Sequence, residues 1–396
     1  MQVNCFTLEK HRANLQREHK VLLEGLDPAI LANTHSFKLL TDRLKDGDPL
    51  RAKFTVLIHG YIKNENVNHR RMLTGVEENV MSYLMEALMV VLYYDNFIID
   101  QKKQVNTHEA VCETLYLRNS LYDAINKYLL NHPKISNKSR IEFLKLVCDI
   151  HQVVNEGQKI ECDYNHYNCW YVGTTDAAPK YDAVLAKDQM EGVIDQIKKT
   201  TIGVFPFPVD KQFFLENYLH RIYMTNAFLF VRLTRFILLK SQISPENQQK
   251  LLQYAGLFGA MHQIINDVSD FKPAFGTDIT HAKDQDDDLK DLRNKNITLP
   301  LMIHLLKTKD SKIKTFLDHH ACLGAFLPQV YSDDICASMA IYLAMKVGKG
   351  LQMQMSPLLN PQNTFTACLI DANRIAENNR FYRYFYERRK HLKKHT

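Results

Sequence analysis

The sequence lacks several features that would assign it to a special class of protein. Its 396 residues contain no run of about 18 or more uncharged apolar residues, so no membrane-spanning helix is expected. The first twenty residues lack the apolar core of a signal peptide, and Glu9 and Glu18 argue against a transit peptide. The eight cysteines form no CxxC pair, which favours a reduced interior over a disulfide framework. We therefore expect a cytoplasmic protein.

Net positive charge is concentrated at the C-terminus. The net charge of +6 is accounted for by residues 380–396, which hold seven Arg and Lys residues and one Glu. Since the rest of the chain is close to neutral, no nucleic-acid partner is expected. This basic tail has three interpretations: a solvated helix end, a flap over an anionic substrate, or a surface for weak contact with an anionic membrane.

Glycine and proline are also few, 14 and 12 residues, and 45% of the chain is hydrophobic. Helical periodicity dominates, and alternating strand patterns with hairpin turns are missing. The sequence therefore predicts an all-α fold. Without an internal repeat or a low-complexity linker, it predicts one domain over residues 1–396, with 1–45 as a helical N-terminal extension. The predicted buried helices are 80–99, 212–239, 249–268 and 335–348, and the irregular segments are 163–187 and 272–290.

Two clusters of acidic and amide residues interrupt these apolar helices. The first is residues 95–100 (DNFIID), and the second is residues 263–271 (QIINDVSDF). On a helix Asn266 and Asp270 share a face, as do Gln263 and Asp267. Carboxylates within apolar helices are costly unless they are paired, and oxygen ligands suit Mg²⁺ bound to a diphosphate.

These clusters resemble the two Asp-rich motifs of trans-isoprenyl diphosphate synthases, DDxxD and FQIxDDxxDY. Residues 291–300 (DLRNKNITLP) resemble the DLREGKxTLP segment that follows the second motif. Three short pairs also resemble family motifs. Lys102–Lys103 resembles the arginine pair of the RRG motif, Gly157–Gln158 resembles the GQ pair, and Lys199–Thr200 resembles the KT pair. All of these pieces occur in the family's order.

The resemblance implies an isoprenoid synthase-type helical bundle around a central cavity, with the two clusters facing each other. It also implies a homodimer, Mg²⁺ as cofactor and a C15 or C20 prenyl diphosphate as substrate. The implied catalytic residues are Asp95, Asp267 and Lys199. The implied metal ligands are Asp95, Asn96, Asp100, Asn266, Asp267 and Asp270. The implied substrate-binding residues are Lys102, Lys103, Lys199, Thr200, Gln263 and Arg51. A structural carboxylate paired with Lys199 is the alternative interpretation of Asp267.

Departures from the family pattern lie mostly in the part that binds isopentenyl diphosphate. Each Asp-rich motif has one Asp replaced by Asn, at Asn96 and Asn266. Residues 47–52 (GDPLRA) keep only the glycine and Arg51 of the GKxxRP stretch, and Leu88 stands where the family has a histidine. An aspartate and a leucine in place of Lys and His are poorly suited to bind a diphosphate.

The two Asp-rich motifs are altered but present, whereas the isopentenyl diphosphate site has lost most of its motif. Three functions are compatible with this difference. The first is a magnesium-dependent class I terpene synthase that ionises an allylic prenyl diphosphate and cyclises or deprotonates the carbocation. The second is a trans-prenyltransferase that adds a prenyl group to isopentenyl diphosphate or to another acceptor. The third is a weakly active regulatory subunit of a prenyl diphosphate synthase.

Overall fold

The structure, a computed structural model, consists of α-helices and short turns. It describes residues 8–26, 35–46, 49–66, 72–99, 107–164, 170, 187–271, 290–307, 317 and 335–372, and no β-strand occurs in these ranges. The α-helices are α1 (Leu8–Glu24), α2 (His35–Asp46), α3 (Leu50–Glu65), α4 (Gly75–Ile99), α5 (His108–Asn131), α6 (Asn137–Tyr164), α7 (Lys187–Val204), α8 (Gln212–Ile222), α9 (Phe228–Leu238), α10 (Pro245–Ser269), α11 (Lys290–Arg293), α12 (Leu299–Lys307), α13 (Ile335–Met355) and α14 (Thr366–Asp371). The predicted all-α fold is confirmed.

Side chains at the helix starts explain where several helices begin. Thr74 and Glu77 form a capping box: the hydroxyl of Thr74 accepts from the Glu77 N–H, and the Glu77 carboxylate accepts from the Thr74 N–H. Thr107 caps α5 by accepting from the backbone N–H of Ala110 at 3.1 Å. Such caps satisfy the amides that the first turn of a helix leaves without partners.

The chain divides into two compact units. Unit 1 takes in Met1–Val154, Leu229–Ala255 and Leu358–Asn373, and unit 2 takes in Asn155–Phe228, Gly256–Pro357 and Arg374–Thr396. The prediction of a single domain stays a prediction.

Helix α4 is the central helix of unit 1. It packs against α3 and α5, and its apolar residues from Val80 to Leu92 are buried except Met89, which is partly exposed, as the apolar pattern of this segment predicts. The predicted N-terminal extension contains α1 and α2, and α1 packs directly on α4. The extension is thus part of the unit 1 core, because Leu15 and Leu22 of α1 are fully buried.

A π-helical turn interrupts the predicted helix 212–239. Tyr223–Ala227 takes this conformation between α8 and α9. The sequence did not predict the interruption. Within unit 2, a side chain at Gly157 of α6 would meet the Cβ of Met224 at 2.8 Å, so the glycine permits close approach of α6 to this turn. Turns of this kind frequently accompany functional sites.

None of the described helices is both long enough and apolar enough to cross a membrane. The predicted irregular segments 163–187 and 272–290 lie mostly outside the described residues.

Candidate active site: two aspartate clusters

The first cluster lies near the C-terminal end of α4, in unit 1. Asp95 is bound by Arg118 of α5, whose Nε donates to the Asp95 Oδ1 at 2.9 Å and whose Nη2 lies 3.5 Å from Oδ2. The side chains of the pair are 18% and 13% exposed. Burial raises the pKa of Asp95, and the positive charge of Arg118 partly offsets this effect. The structure therefore provides Asp95 with an internal counter-ion, to which no sequence pattern pointed.

Arg118 also contacts two further side chains. Its Nη1 donates to the Asn119 Oδ1 at 2.9 Å, and its Nη2 lies 2.6 Å from the Nε2 of His151 on α6. Since an arginine only donates, His151 accepts through Nε2 and is neutral. Burial and the charge of Arg118 lower the pKa of His151 to about 4, which agrees with a neutral ring. The His151 ring stacks on Tyr122 with centroids 4.7 Å apart.

The second cluster surrounds Asp267 on α10, in unit 2. Asp267 is 2% exposed, and both of its carboxylate oxygens accept hydrogen bonds. Oδ2 accepts from the Tyr218 hydroxyl at 2.7 Å and from the Arg221 Nη2 at 3.3 Å, whereas Oδ1 accepts from the Gln263 Nε2 at 2.8 Å. The predicted i, i+4 relation of Gln263 and Asp267 is confirmed. The alternative pairing of Asp267 with Lys199 is wrong, since Arg221 pairs with it and Lys199 is exposed.

Arg221 links Asp267 to a second carboxylate. Its Nη1 donates to Glu161 at 2.9 Å, and its guanidinium lies 5.2 Å from the centroid of the Tyr218 ring. The carboxylates of Glu161 and Asp267 raise the pKa of this buried arginine, which therefore stays charged. Arg221 is the second functional residue that the sequence patterns did not indicate. The available signal was an arginine within the apolar run YLHRIYM, because a buried arginine requires a carboxylate partner.

Within the described part of the chain, the charges that act on the second cluster are mostly negative. Burial raises the pKa of Asp267 to about 6, and neighbouring Asp270 raises it as well, while Arg221 and Tyr218 act in the opposite direction. Asp291 contributes negative charge near Arg221. Among the described residues whose charges act on Asp267 and Arg221, four are carboxyl groups and one is a guanidinium; the carboxyl groups are those of Glu161, Asp267, Asp270 and Asp291.

Comparison with solved structures identifies the arrangement of helices. A geranylgeranyl pyrophosphate synthase has a TM-score of 0.61 at 13% identity, and the similarity covers 92% of this chain and 99% of that one. The Lactobacillus brevis geranylgeranyl pyrophosphate synthase gives 0.59 at 14%, covering 92% and 95%. A Caulobacter crescentus polyprenyl synthase complexed with calcium and isoprenyl diphosphate gives 0.57 at 11%, covering 94% and 98%.

The chain has the prenyl synthase fold. This confirms the predicted isoprenoid synthase-type helical architecture. The sequence matches no protein-family model and no curated protein, and identities of 11–14% concern the fold alone.

The other predicted residues of the second cluster differ in their surroundings. Asn266 is exposed whereas Asp270 is 7% exposed, so the two do not share one environment although they are four residues apart.

The predicted substrate-binding residue Thr200 lies on α7. Its hydroxyl donates to the Gln196 carbonyl oxygen and accepts from the Gln354 Nε2, both at 2.9 Å. The hydroxyl of Thr200 therefore already has protein partners.

The predicted isopentenyl diphosphate half-site is occupied by a buried glutamate. Glu86 of α4 is fully buried, and its Oε1 accepts from the backbone N–H groups of Arg51 and Ala52 at 2.8 and 3.0 Å. Its Oε2 accepts from the Arg43 Nε at 2.8 Å. A helix N-terminus is a natural site for an anion, and at α3 the anion is this carboxylate. Leu88 is fully buried as well.

The residues of the second cluster fit a magnesium ion in chemistry and in charge. Mg²⁺ binds through one or two carboxylates together with water and substrate phosphates, and Asp267 and Asp270 supply hard oxygen donors beside an excess of negative charge. Within the described ranges, no three His, Cys, Asp or Glu side chains lie together as a complete protein metal site. At Asp95 the charge is already balanced by Arg118.

Several predicted residues lie outside the described part of the chain. These are Asp100, Lys102, Lys103 and the basic tail 380–396. Their assigned roles stay predictions, as do those of Asn96 and Lys199.

Proposed function

We infer that this protein is a prenyl-diphosphate-utilising enzyme and a divergent member of the trans-isoprenyl diphosphate synthase family. The ordered sequence motifs and the prenyl synthase fold support this proposal together. Its substrate is a C15 or C20 prenyl diphosphate, and its cofactor is Mg²⁺. As the resemblance implies, the chain acts as a homodimer.

The reaction that we propose uses a single substrate. The enzyme ionises the allylic diphosphate, releases pyrophosphate, and cyclises or deprotonates the carbocation. The observation that carries this choice is Glu86 at the N-terminus of α3. A diphosphate of isopentenyl diphosphate placed there would find the N–H groups of Arg51 and Ala52 and the Arg43 Nε already donating to the buried Glu86 carboxylate, which it would have to displace.

The described residues of the second cluster have distinct roles in this proposal. Asp267 and Asp270 hold the metal, and the chemistry that Mg²⁺ would supply is stabilisation of the negative charge on the leaving diphosphate. Gln263 and Tyr218 orient the Asp267 carboxylate through their hydrogen bonds. Lys199, which is exposed, is free to reach diphosphate oxygens as a point charge.

Prenyl transfer is the second candidate reaction. Solved structures that share this fold include a polyprenyl synthase and geranylgeranyl pyrophosphate synthases, which favours transfer to an acceptor. Under this alternative an acceptor other than isopentenyl diphosphate would use the site, since Asp48 and Leu88 replace the expected basic residues.

A weakly active regulatory subunit is the third candidate, from a different class of function. It is favoured by the Asp267 carboxylate, which already accepts three hydrogen bonds from the protein. Such a carboxylate has few lone pairs left for a metal.

One set of incubations separates the three candidates. The pure protein is incubated with Mg²⁺ and C10, C15 or C20 prenyl diphosphate, with and without isopentenyl diphosphate, and products and pyrophosphate are measured. Hydrocarbon or alcohol without isopentenyl diphosphate supports the proposal. Longer diphosphates formed only with it support transfer. No turnover in any tube, with activity restored by another prenyl synthase chain, supports the subunit.

A further inference from the structure

Arg118 holds Asp95 in the position where the sequence motif predicts a metal ligand. The guanidinium spans Asp95 and His151, and the two side chains of the ion pair are 18% and 13% exposed, so the pair is accessible to a ligand. We propose that Arg118 is a diphosphate-binding residue that takes the place of a metal ion at the first cluster. This inference rests on the proposed function and assigns a diphosphate-binding residue at the first cluster.

Charge is the first argument. Asp95 and Arg118 cancel each other, Asn96 is neutral, and His151 is neutral because it accepts from Arg118. These described side chains of the first cluster carry no net negative charge to attract a divalent cation, which would also have to displace a guanidinium already hydrogen-bonded to the Asp95 carboxylate. Among the described residues at the second cluster, the charges of four carboxyl groups act together with that of one arginine, so a divalent cation is attracted there.

Geometry is the second argument. The contact between the Arg118 Nη2 and the Asp95 Oδ2 is long, at 3.5 Å, while the Nε contact to Oδ1 is 2.9 Å. A phosphate oxygen can replace the long contact while the short one keeps the guanidinium oriented. Arginine presents five donors in a planar fork that matches phosphate oxygens, and Asn119 and His151 fix the plane of that fork.

Calorimetric titration of the full-length protein tests this inference with inorganic pyrophosphate as the probe, first in EDTA and then with Mg²⁺. Arg118→Gln should weaken pyrophosphate binding in EDTA about tenfold, the loss of roughly one charged contact. Arg118→Lys should retain part of the affinity. Arg232→Gln is the matched control, because Arg232 of α9 is a similarly half-buried arginine paired with Asp149, and it should bind as the wild type does.

Titration with Mg²⁺ alone supplies a second readout. Arg118→Gln frees the Asp95 carboxylate, so Mg²⁺ should bind about fivefold to tenfold more tightly than to the wild type. Wild-type affinity for both pyrophosphate and Mg²⁺ in Arg118→Gln would overturn the inference while leaving the proposed function intact. A wild type that binds no pyrophosphate even with Mg²⁺ would overturn both.

Should Arg118→Gln fail to fold, Asp95→Asn decides the question. This variant keeps the arginine and its contacts to Asn119 and His151 but removes its counter-charge. Metal-free pyrophosphate binding should then tighten several-fold relative to the wild type. Unchanged or weaker binding in Asp95→Asn would refute the role proposed for Arg118.

Discussion

Asp95 and Asp267 occupy comparable places in two sequence motifs and are each bound by an arginine, yet their surroundings differ. Asp95 and Arg118 form a half-buried pair without excess charge. Asp267 is fully buried, accepts from three side chains, and shares Arg221 with Glu161. A carboxylate in an Asp-rich motif therefore does not by itself define a metal site. The charge of its neighbours decides whether a further cation is attracted.

The largest expected difference between the clusters is in stability. Arg221→Ala leaves Glu161 and Asp267 buried without their cation, and removal of one partner of a buried ion pair costs about 3–5 kcal/mol of the free energy of unfolding. Arg118→Ala should cost only about 1–2 kcal/mol, since its pair is partly solvated. Urea unfolding of both variants measures the difference. Equal losses would remove the distinction drawn between the two ion pairs.

The second largest expected difference between the two clusters is in the rate of pyrophosphate release. Asp267→Asn keeps an acceptor for Tyr218 and Arg221 but removes a negative charge from the second cluster, so magnesium-dependent pyrophosphate release should fall about a hundredfold or more. Asp95→Asn should change it by less than about tenfold, because at the first cluster Arg118 and not a metal ion binds the diphosphate. Initial rates of pyrophosphate release measure both. A larger loss in Asp95→Asn than in Asp267→Asn would reverse the assignment of the metal.

Removing a tyrosine hydroxyl near each cluster should change the free energy of unfolding by smaller amounts. Tyr218→Phe removes a hydrogen bond to a buried carboxylate and should destabilise the protein by about 1.5–3 kcal/mol. Tyr122, whose ring stacks on His151, makes a hydroxyl contact to Cys148 at 3.7 Å. Tyr122→Phe should therefore cost about 0.5 kcal/mol, the lower end for a neutral hydrogen bond. Thermal or urea unfolding of the two variants side by side tests this order.

Acidification should change the contributions of Asp267 and His151 to the free energy of unfolding in opposite directions. Asp267 has a pKa of about 6, above its usual 3.8, so the folded state binds this proton more tightly and the contribution of Asp267 to stability rises as pH falls from about 6 to about 4. His151 has a pKa of about 4, below its usual 6.5. Its contribution is present above about pH 6.5 and is lost as pH falls towards 4.

Unfolding curves between pH 7 and pH 4 test these two signs. Compared with the wild type, Asp267→Asn should lose stability more steeply on acidification, because it lacks the compensating proton. His151→Gln should lose stability less steeply. Parallel curves for all three proteins would show that neither group is shifted as described.

The sequence predicted the helices better than the contacts of the site. Pro245–Ser269 and Gly75–Ile99 follow from apolar periodicity, and the motifs placed Asp95 and Asp267 on them. The ion pairs of Arg118 and Arg221 could not be predicted, because the carboxylate partners are 23 and 46 residues away and meet the arginines only through helix packing. The π-helical turn at Tyr223–Ala227 has no glycine or proline to signal it.

Glu86 illustrates the same limit within unit 1. The GDPLRA segment departs from the isopentenyl diphosphate motif of the resembled family, and only the structure shows a carboxylate on the N–H groups of Arg51 and Ala52. Sequence patterns register which basic residues are missing. They do not show which side chain binds the backbone N–H groups at the start of α3.

Pyrophosphate release from a single prenyl diphosphate tests the central claim most directly. With Mg²⁺ and C15 or C20 prenyl diphosphate alone, the account predicts pyrophosphate release together with a hydrocarbon or alcohol product. Addition of labelled isopentenyl diphosphate should change neither the rate nor the product. Efficient incorporation of the label into a longer prenyl diphosphate would contradict the account.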